Sequence, residues 1–109
     1  MNKAIVIGSG IAGLAAGLRL KKLGYEVEIY ETNAYTGGKL HALNVSGYRW
    51  DAGPSLFTMP QLVNEVIELF TDAPKSYFDY TAKENVCNYF WEDGTRFNVV
   101  KDMERFVKE

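Results

Sequence analysis

Ala4-Ile5-Val6-Ile7-Gly8-Ser9-Gly10-Ile11-Ala12-Gly13 lies near the start of the chain, and Val27-Glu28-Ile29-Tyr30-Glu31 follows it. Together these two stretches decide the fold. The first apolar run reads as a strand, the glycines as a turn, and the amphipathic segment after them as a helix. The second, alternating run reads as another strand that ends on an acid. This is the dinucleotide-binding fingerprint in its full context of strand, glycine turn, helix, strand and carboxylate. Gly8 allows a tight turn out of the strand, Gly10 lets the backbone approach a pyrophosphate, and Gly13 lets the helix lie close on the sheet. Gly17 extends that bare stripe by one turn. The start of the helix offers unpaired N–H groups and a partial positive charge to phosphates. Glu31 stands eighteen residues after Gly13, close to the roughly 20 at which an acid meets the adenosine ribose. A 2′-phosphate there would face like charge, which disfavours NADP.

Two plainer readings fail on the same residues. Met1-Asn2-Lys3 followed by an apolar stretch resembles a signal peptide, but glycines interrupt the run and Arg19, Lys21 and Lys22 follow directly. A glycine turn without a ligand would not require the second strand and the acid in register. The run is also too short and broken to span a bilayer. The chain has 109 residues, which suits one domain at most. Its 47% hydrophobic content supports a core. A net charge of −2 and a pI near 5.4, with no basic stripe, argue against a nucleic-acid surface. The single cysteine, Cys87, excludes an internal disulfide and a multi-thiolate metal site, and its apolar surroundings suit a buried, inert thiol. A reducing, cytosolic setting fits this usage.

Along the chain, the pattern predicts a strand over Lys3 to Ile7, a helix from Ile11 to Leu23 and a strand over Glu26 to Tyr30, with Gly24 ending the helix. Ile11, Leu14, Ala15 and Leu18 are expected to face the sheet. Thr32 to Lys39 is a polar loop, and Leu40–Val45 with Tyr48–Asp51 forms a hairpin turning at Ser46-Gly47. Pro60 opens a helix whose apolar spacing runs to about Thr71, and Asp72-Ala73-Pro74 stops it. Tyr77–Thr81, Val86–Trp91 and Arg96–Val99 read as strands, the last two joined at Asp93-Gly94. Asp102 caps a final helix with Met103, Phe106 and Val107 on its apolar face. The chain stops without a C-cap, as if cut within or just after that helix, so a piece of a longer protein is expected. Residues 1–72 form the nucleotide-binding portion and residues 73–109 the start of a substrate domain. The fold class is α/β: a Rossmann-like βαβ unit with parallel strands, then an antiparallel, aromatic-rich β segment and helices. Two parallel strands cannot bury both faces alone, so further strands must come from elsewhere.

Along most of its length the chain resembles the phytoene desaturase (carotenoid dehydrogenase) branch of the amine-oxidase-like flavoproteins. The matching stretches are Gly8–Leu14, Gly24–Glu31, Gly37-Gly38-Lys39 and Gly47-Tyr48-Arg49-Trp50-Asp51-Ala52-Gly53-Pro54-Ser55, with Met59-Pro60 opening the next helix. The first two belong to many flavoproteins; the glycine pair and the Asp-x-Gly-Pro-Ser loop narrow the choice.

The resemblance implies FAD, not NAD. It places Gly8, Ser9, Gly10, Ile11, Ala12 and Gly13 along the pyrophosphate and Glu31 on the ribose. Gly37 and Gly38 would pass near the cofactor, Lys39 would pair with phosphate, and Gly53, Pro54 and Ser55 would approach the flavin. It further implies hydride transfer to FAD from an apolar, carotenoid-like polyene. The protein would be cytoplasmic, with peripheral access to a membrane surface. An amine or protoporphyrinogen oxidase keeps the same cofactor with another substrate. A non-catalytic nucleotide-binding fragment is the reading from a different class, and the 109 residues alone are expected to be inactive and prone to self-association through open strand edges. No catalytic acid or base is assigned, and His41 reads as structural or exposed. Tyr77, Phe78, Tyr80, Tyr89, Phe90 and Trp91 suit sheet packing before a substrate tunnel.

Overall fold

The computed structural model describes residues 2–107. The chain divides into two compact units, Met1–Asp79 and Tyr80–Glu109. The first unit opens with strand β1 (Lys3–Ile7), helix α1 (Ile11–Lys22) and strand β2 (Glu26–Tyr30). β1 and β2 pair in parallel, from Lys3 opposite Glu26 to Ile7 opposite Tyr30. The helix forms the crossover and lies on one face of the pair. Ala4 and Val6 are half-buried, whereas Ile5 and Ile7 are 66% and 89% exposed. Period-two alternation thus separates a helix-covered face from an open one.

α1 meets the sheet through its glycines. An ideal Cβ at Gly17 would stand 3.0 Å from Ile29 Cδ1. Ile11, Leu14, Ala15 and Leu18, expected against the sheet, instead line an apolar cleft shared with Leu62, Val66 and neighbouring residues. Bare Cα positions let a helix approach a sheet more closely than leucines do, so the glycine stripe takes the sheet side and the larger residues turn to the next helix. At the end of α1, Gly24 N–H donates to Lys21 O (3.0 Å) and Tyr25 N–H to Leu20 O (3.1 Å), the paired bonds of a Schellman cap.

Strands β3 (His41–Val45) and β4 (Tyr48–Ala52) form the expected antiparallel hairpin. Ser46 and Gly47 both carry positive φ, 50° and 82°, as a type I′ turn requires. Helix α2 (Gln61–Ile67) is shorter than the apolar spacing predicts. Beyond Ile67 the bonding tightens: Leu69 N–H donates to Val66 O and Phe70 N–H to Ile67 O. Lys22 Nζ donates to Leu69 O, and its ammonium lies 5.7 Å from the Phe70 ring centroid. Val66, 6% exposed, is the best-buried apolar side chain of this unit among the described residues.

Tyr77–Thr81 does not form the strand its aromatic content predicts. Pro74–Ser76 is a 3₁₀ turn, and Tyr77 and Phe78 both donate their N–H groups to Pro74 O, at 2.9 and 3.0 Å. Phe78 packs edge-on against Phe57, with ring centroids 5.6 Å apart. A local turn and one aromatic contact outweigh an intrinsic preference for extended backbone.

The second unit contains strands β5 (Asn85–Phe90) and β6 (Arg96–Val100) and helix α3 (Met103–Phe106). The two strands are antiparallel, with an irregularity between Asn85 and Cys87. Tyr89 stacks on Trp91 and tilts against Phe97, and Arg96 lies over Phe90, so these aromatic residues pack along the hairpin. Asp102 caps α3 by accepting Arg105 N–H at 2.9 Å. Of the predicted apolar face only Phe106 packs, against Phe97; Met103 and Val107 are 74% and 80% exposed. A helix this short directs one side chain to a two-stranded ribbon. The expected cut at or beyond this helix falls on Lys108 and Glu109, which lie outside the described residues.

Candidate nucleotide-binding site

Gly8 N–H donates to Tyr30 O at 2.7 Å, which ties the turn leaving β1 to the last residue of β2. The following residues therefore meet: Ser9, on the turn, donates both its backbone N–H (2.7 Å) and its hydroxyl (2.9 Å) to Glu31 Oε2. Ser9 is 2% exposed. The acid at the end of the second strand and the glycine turn thus form one locus.

Gly10 occupies the N-cap of α1 in extended conformation, and no side chain caps the helix. The first intrahelical bond runs from Leu14 N–H to Gly10 O at 2.9 Å. The N–H groups of Ile11, Ala12 and Gly13 precede it and point out of the helix end. No acidic residue stands in the first turn. An uncapped start with no acid in its own first turn suits an anion. Gly13 is required for a different reason: a Cβ there would lie 2.0 Å from Gly8 O.

The glycine pair closes on the same turn. Gly37 N–H donates to Ser9 O at 2.8 Å, and Gly10 and Gly37 form an isolated parallel bridge. A Cβ at Gly38 would come within 3.1 Å of Gly10 Cα, so backbone passes against backbone. His41 contacts this crossing: its Nδ1 is 3.1 Å from Gly38 O, and its ring stacks on Tyr35 at 4.7 Å. His41 is thus half-buried and structural. Lys39 is exposed, and its carbonyl lies where a Cβ on Gly53 would sit, at 1.9 Å. Pro54 and Ser55 line a shallow cleft with Leu40, His41, Arg49 and Asp51. Arg49 and Asp51 pair at 2.6 Å on the surface, a contact worth little in water.

The structure therefore brings Gly8, Ser9, Gly10, Ile11, Ala12, Gly13, Glu31, Gly37 and Gly38 into one cluster. Lys39 and Gly53 adjoin it through the backbone, and Pro54 and Ser55 lie one step farther along. Asn33 is the participant that sequence reasoning missed. Its N–H and Nδ2 both donate to Glu31 Oε1, each at 2.9 Å. An amide side chain two residues beyond the acid was the available signal. Hydrogen bonds from the Asn33 and Ser9 backbones, then from the Ser9 hydroxyl, lower the Glu31 carboxyl to about 2, so it is ionised at neutral pH. The donor set suits the adenosine diphosphate part of a dinucleotide. Amides face an anion, a carboxylate lies beside them, and glycines stand where a Cβ would obstruct close backbone approach.

The sequence pattern described as flavin containing amine oxidoreductase matches residues 11–109. Over 107 residues the chain is 58% identical to 1-hydroxycarotenoid 3,4-desaturase of Flavobacterium sp. (strain P99-3), covering 98% of this chain and 22% of that protein. It is 37% identical over 111 residues to 4,4'-diapolycopene oxygenase of Methylomonas sp, covering 99% and 22%. Phytoene desaturase of Phycomyces blakesleeanus is 31% identical over 105 residues, covering 96% and 18%. The chain spans about a fifth of the length of these relatives. The match to this family's pattern and to these relatives runs along nearly the whole chain, and the chain belongs to the flavin containing amine oxidoreductase family.

Proposed function

We propose that this chain supplies the adenosine diphosphate-binding part of the FAD site in a flavin-dependent desaturase of carotenoid-like polyenes. The observation that carries the reading is the junction of Glu31 with the glycine turn at the uncapped start of α1. In this reading β1-α1-β2 is a Rossmann-type unit. The backbone from Gly8 to Gly13 receives the pyrophosphate, and Glu31 accepts a ribose hydroxyl. Gly37 and Gly38 keep the crossing loop clear of the nucleotide, and Lys39 offers a point charge to phosphate. Gly53, Pro54 and Ser55 lie toward the flavin.

FAD, when bound, would accept a hydride from one carbon of a saturated C–C bond, and loss of a proton from the adjacent carbon to solvent would complete the conjugated double bond. The residues described here bind and orient; none is assigned a proton. The substrate class rests on the identity shared with carotenoid-modifying relatives. Such a polyene partitions into bilayers, so the protein would meet it at a membrane surface. Among the described residues no helix is long and apolar enough to cross a membrane. Residues 73–109 would begin a substrate domain. The open face around Ile5 and Ile7 would promote self-association of the chain alone, which a sizing column reads directly.

The test is FAD titration of the apoprotein, followed by flavin fluorescence, in the parent and in Glu31→Ala. Saturable binding that Glu31→Ala weakens at least tenfold is expected, as for loss of a charge-assisted hydrogen bond, worth about 1.5–3 kcal/mol. Unchanged affinity would refute the assignment of Glu31.

A further inference from the structure

A carboxylate offers about four lone-pair positions, and all four on Glu31 are filled from within the chain. Oε2 accepts the Ser9 N–H and hydroxyl, and Oε1 accepts the Asn33 N–H and Nδ2. A ribose hydroxyl therefore cannot simply be added. It must replace a donor already present.

The two edges of the carboxylate are unequal. Ser9 is 2% exposed, and Gly37 N–H holds its carbonyl at 2.8 Å. Removing the Ser9 donors from Oε2 would leave buried polar groups unpaired and disturb the glycine turn, which is costly. Asn33 is exposed, so its side-chain amide can turn to water and lose little. The exchange falls on Oε1.

We propose that Asn33 is the gate of the ribose subsite: its side-chain amide occupies Oε1 in the free protein and yields that position to a ribose hydroxyl, while Ser9 keeps Oε2. This rests on the reading that Glu31 faces an adenosine ribose. Asn33 then acts as a positioning residue, since it holds the carboxylate in a fixed plane before the nucleotide arrives and competes with the ligand it prepares for. The net affinity of the site is set partly by how readily this one amide leaves.

The test compares the parent with Asn33→Ala, Ser9→Ala and Glu31→Ala, using FAD, ADP and inorganic pyrophosphate as probes. Asn33→Ala should bind FAD and ADP roughly three- to tenfold more tightly, because one competing hydrogen bond is gone. Pyrophosphate, which lacks a ribose, should bind Asn33→Ala and parent alike. Ser9→Ala should weaken FAD and ADP. Unchanged or weaker FAD binding by Asn33→Ala, at an unaltered melting temperature, overturns the gate, as does an equal gain for pyrophosphate. Tightening by Ser9→Ala would assign the exchange to the other edge and overturn it as well. If FAD and ADP bind but ignore Glu31→Ala, the ribose reading itself falls and takes the gate with it; if Glu31→Ala weakens them while Asn33→Ala does not tighten them, only the gate is lost.

Discussion

Replacing Gly13 and Gly17 by alanine, one at a time, makes the same chemical change one turn apart in α1, with very different expected costs. Each gains about 1 kcal/mol of helix propensity. At Gly13 the new Cβ would sit 2.0 Å from Gly8 O and 3.1 Å from Gly8 C, both backbone atoms. That is about 1.5 Å inside ordinary contact, and the carbonyl it strikes belongs to the turn anchored on Tyr30. Relief requires moving the start of the helix off the sheet. Overpacking costs typically 1–3 kcal/mol and more where backbone must yield, so a net loss of about 2–4 kcal/mol is expected. At Gly17 the nearest atom is Ile29 Cδ1 at 3.0 Å, the far end of a flexible side chain. An off-rotamer adjustment of about 0.5–1.5 kcal/mol roughly cancels the propensity gain, so Gly17→Ala should fall within about 1 kcal/mol of the parent. Urea unfolding followed by far-ultraviolet circular dichroism separates the two. With a slope near 1 kcal/mol/M, about the low end for small domains, Gly13→Ala should lose roughly 2 M or more in midpoint. Midpoints for the two variants within about 0.5 M of each other would refute the geometric argument.

Three further outcomes are expected. The Glu31 carboxyl is lowered from 4.5 to about 2, so its stabilising contribution is complete above pH 4.5 and vanishes as pH falls toward 2; melting of Glu31→Gln across pH 6 to 2.5 should fall less steeply than the parent, and parallel curves would contradict this. Gly53→Ala places a Cβ 1.9 Å from Lys39 O, whereas Gly47→Ala meets nothing within 4 Å, so the first should lower the urea midpoint well beyond the second, whose backbone cost is about 1–2 kcal/mol. Asp102→Ala removes the bond to Arg105 N–H and should cost α3 about 1 kcal/mol, while Asp102→Asn retains most of it; amide exchange at Arg105 in the two variants is the readout.

The βαβ unit was legible because each part has a local signature: apolar runs of the right length, glycines at fixed offsets and an acid at the end of β2. The β3–β4 hairpin was legible for the same reason, since Ser46-Gly47 is a turn signal whatever surrounds it. What escaped depends on contacts between distant residues. Tyr77–Thr81 carries strand-forming side chains, yet Pro74 starts a turn and Phe78 finds Phe57. Leu14 and Leu18 are apolar at helical spacing, but periodicity does not say whether a face meets a sheet or another helix; the closer approach available to Gly13 and Gly17 decides it. At the candidate site, spacing alone predicts that the glycine turn and Glu31 meet, as they do. The saturation of Glu31 by Ser9 and Asn33 does not follow from spacing, because it depends on side-chain geometry across the turn.

That saturation has a thermodynamic consequence. With Glu31 already an anion well above its midpoint, a nucleotide settling there trades one donor for another and takes up no hydrogen ion at this carboxylate. This residue therefore adds no buffer-dependent heat to calorimetry near neutrality, and it contributes no acidity dependence to affinity over the range in which cells operate.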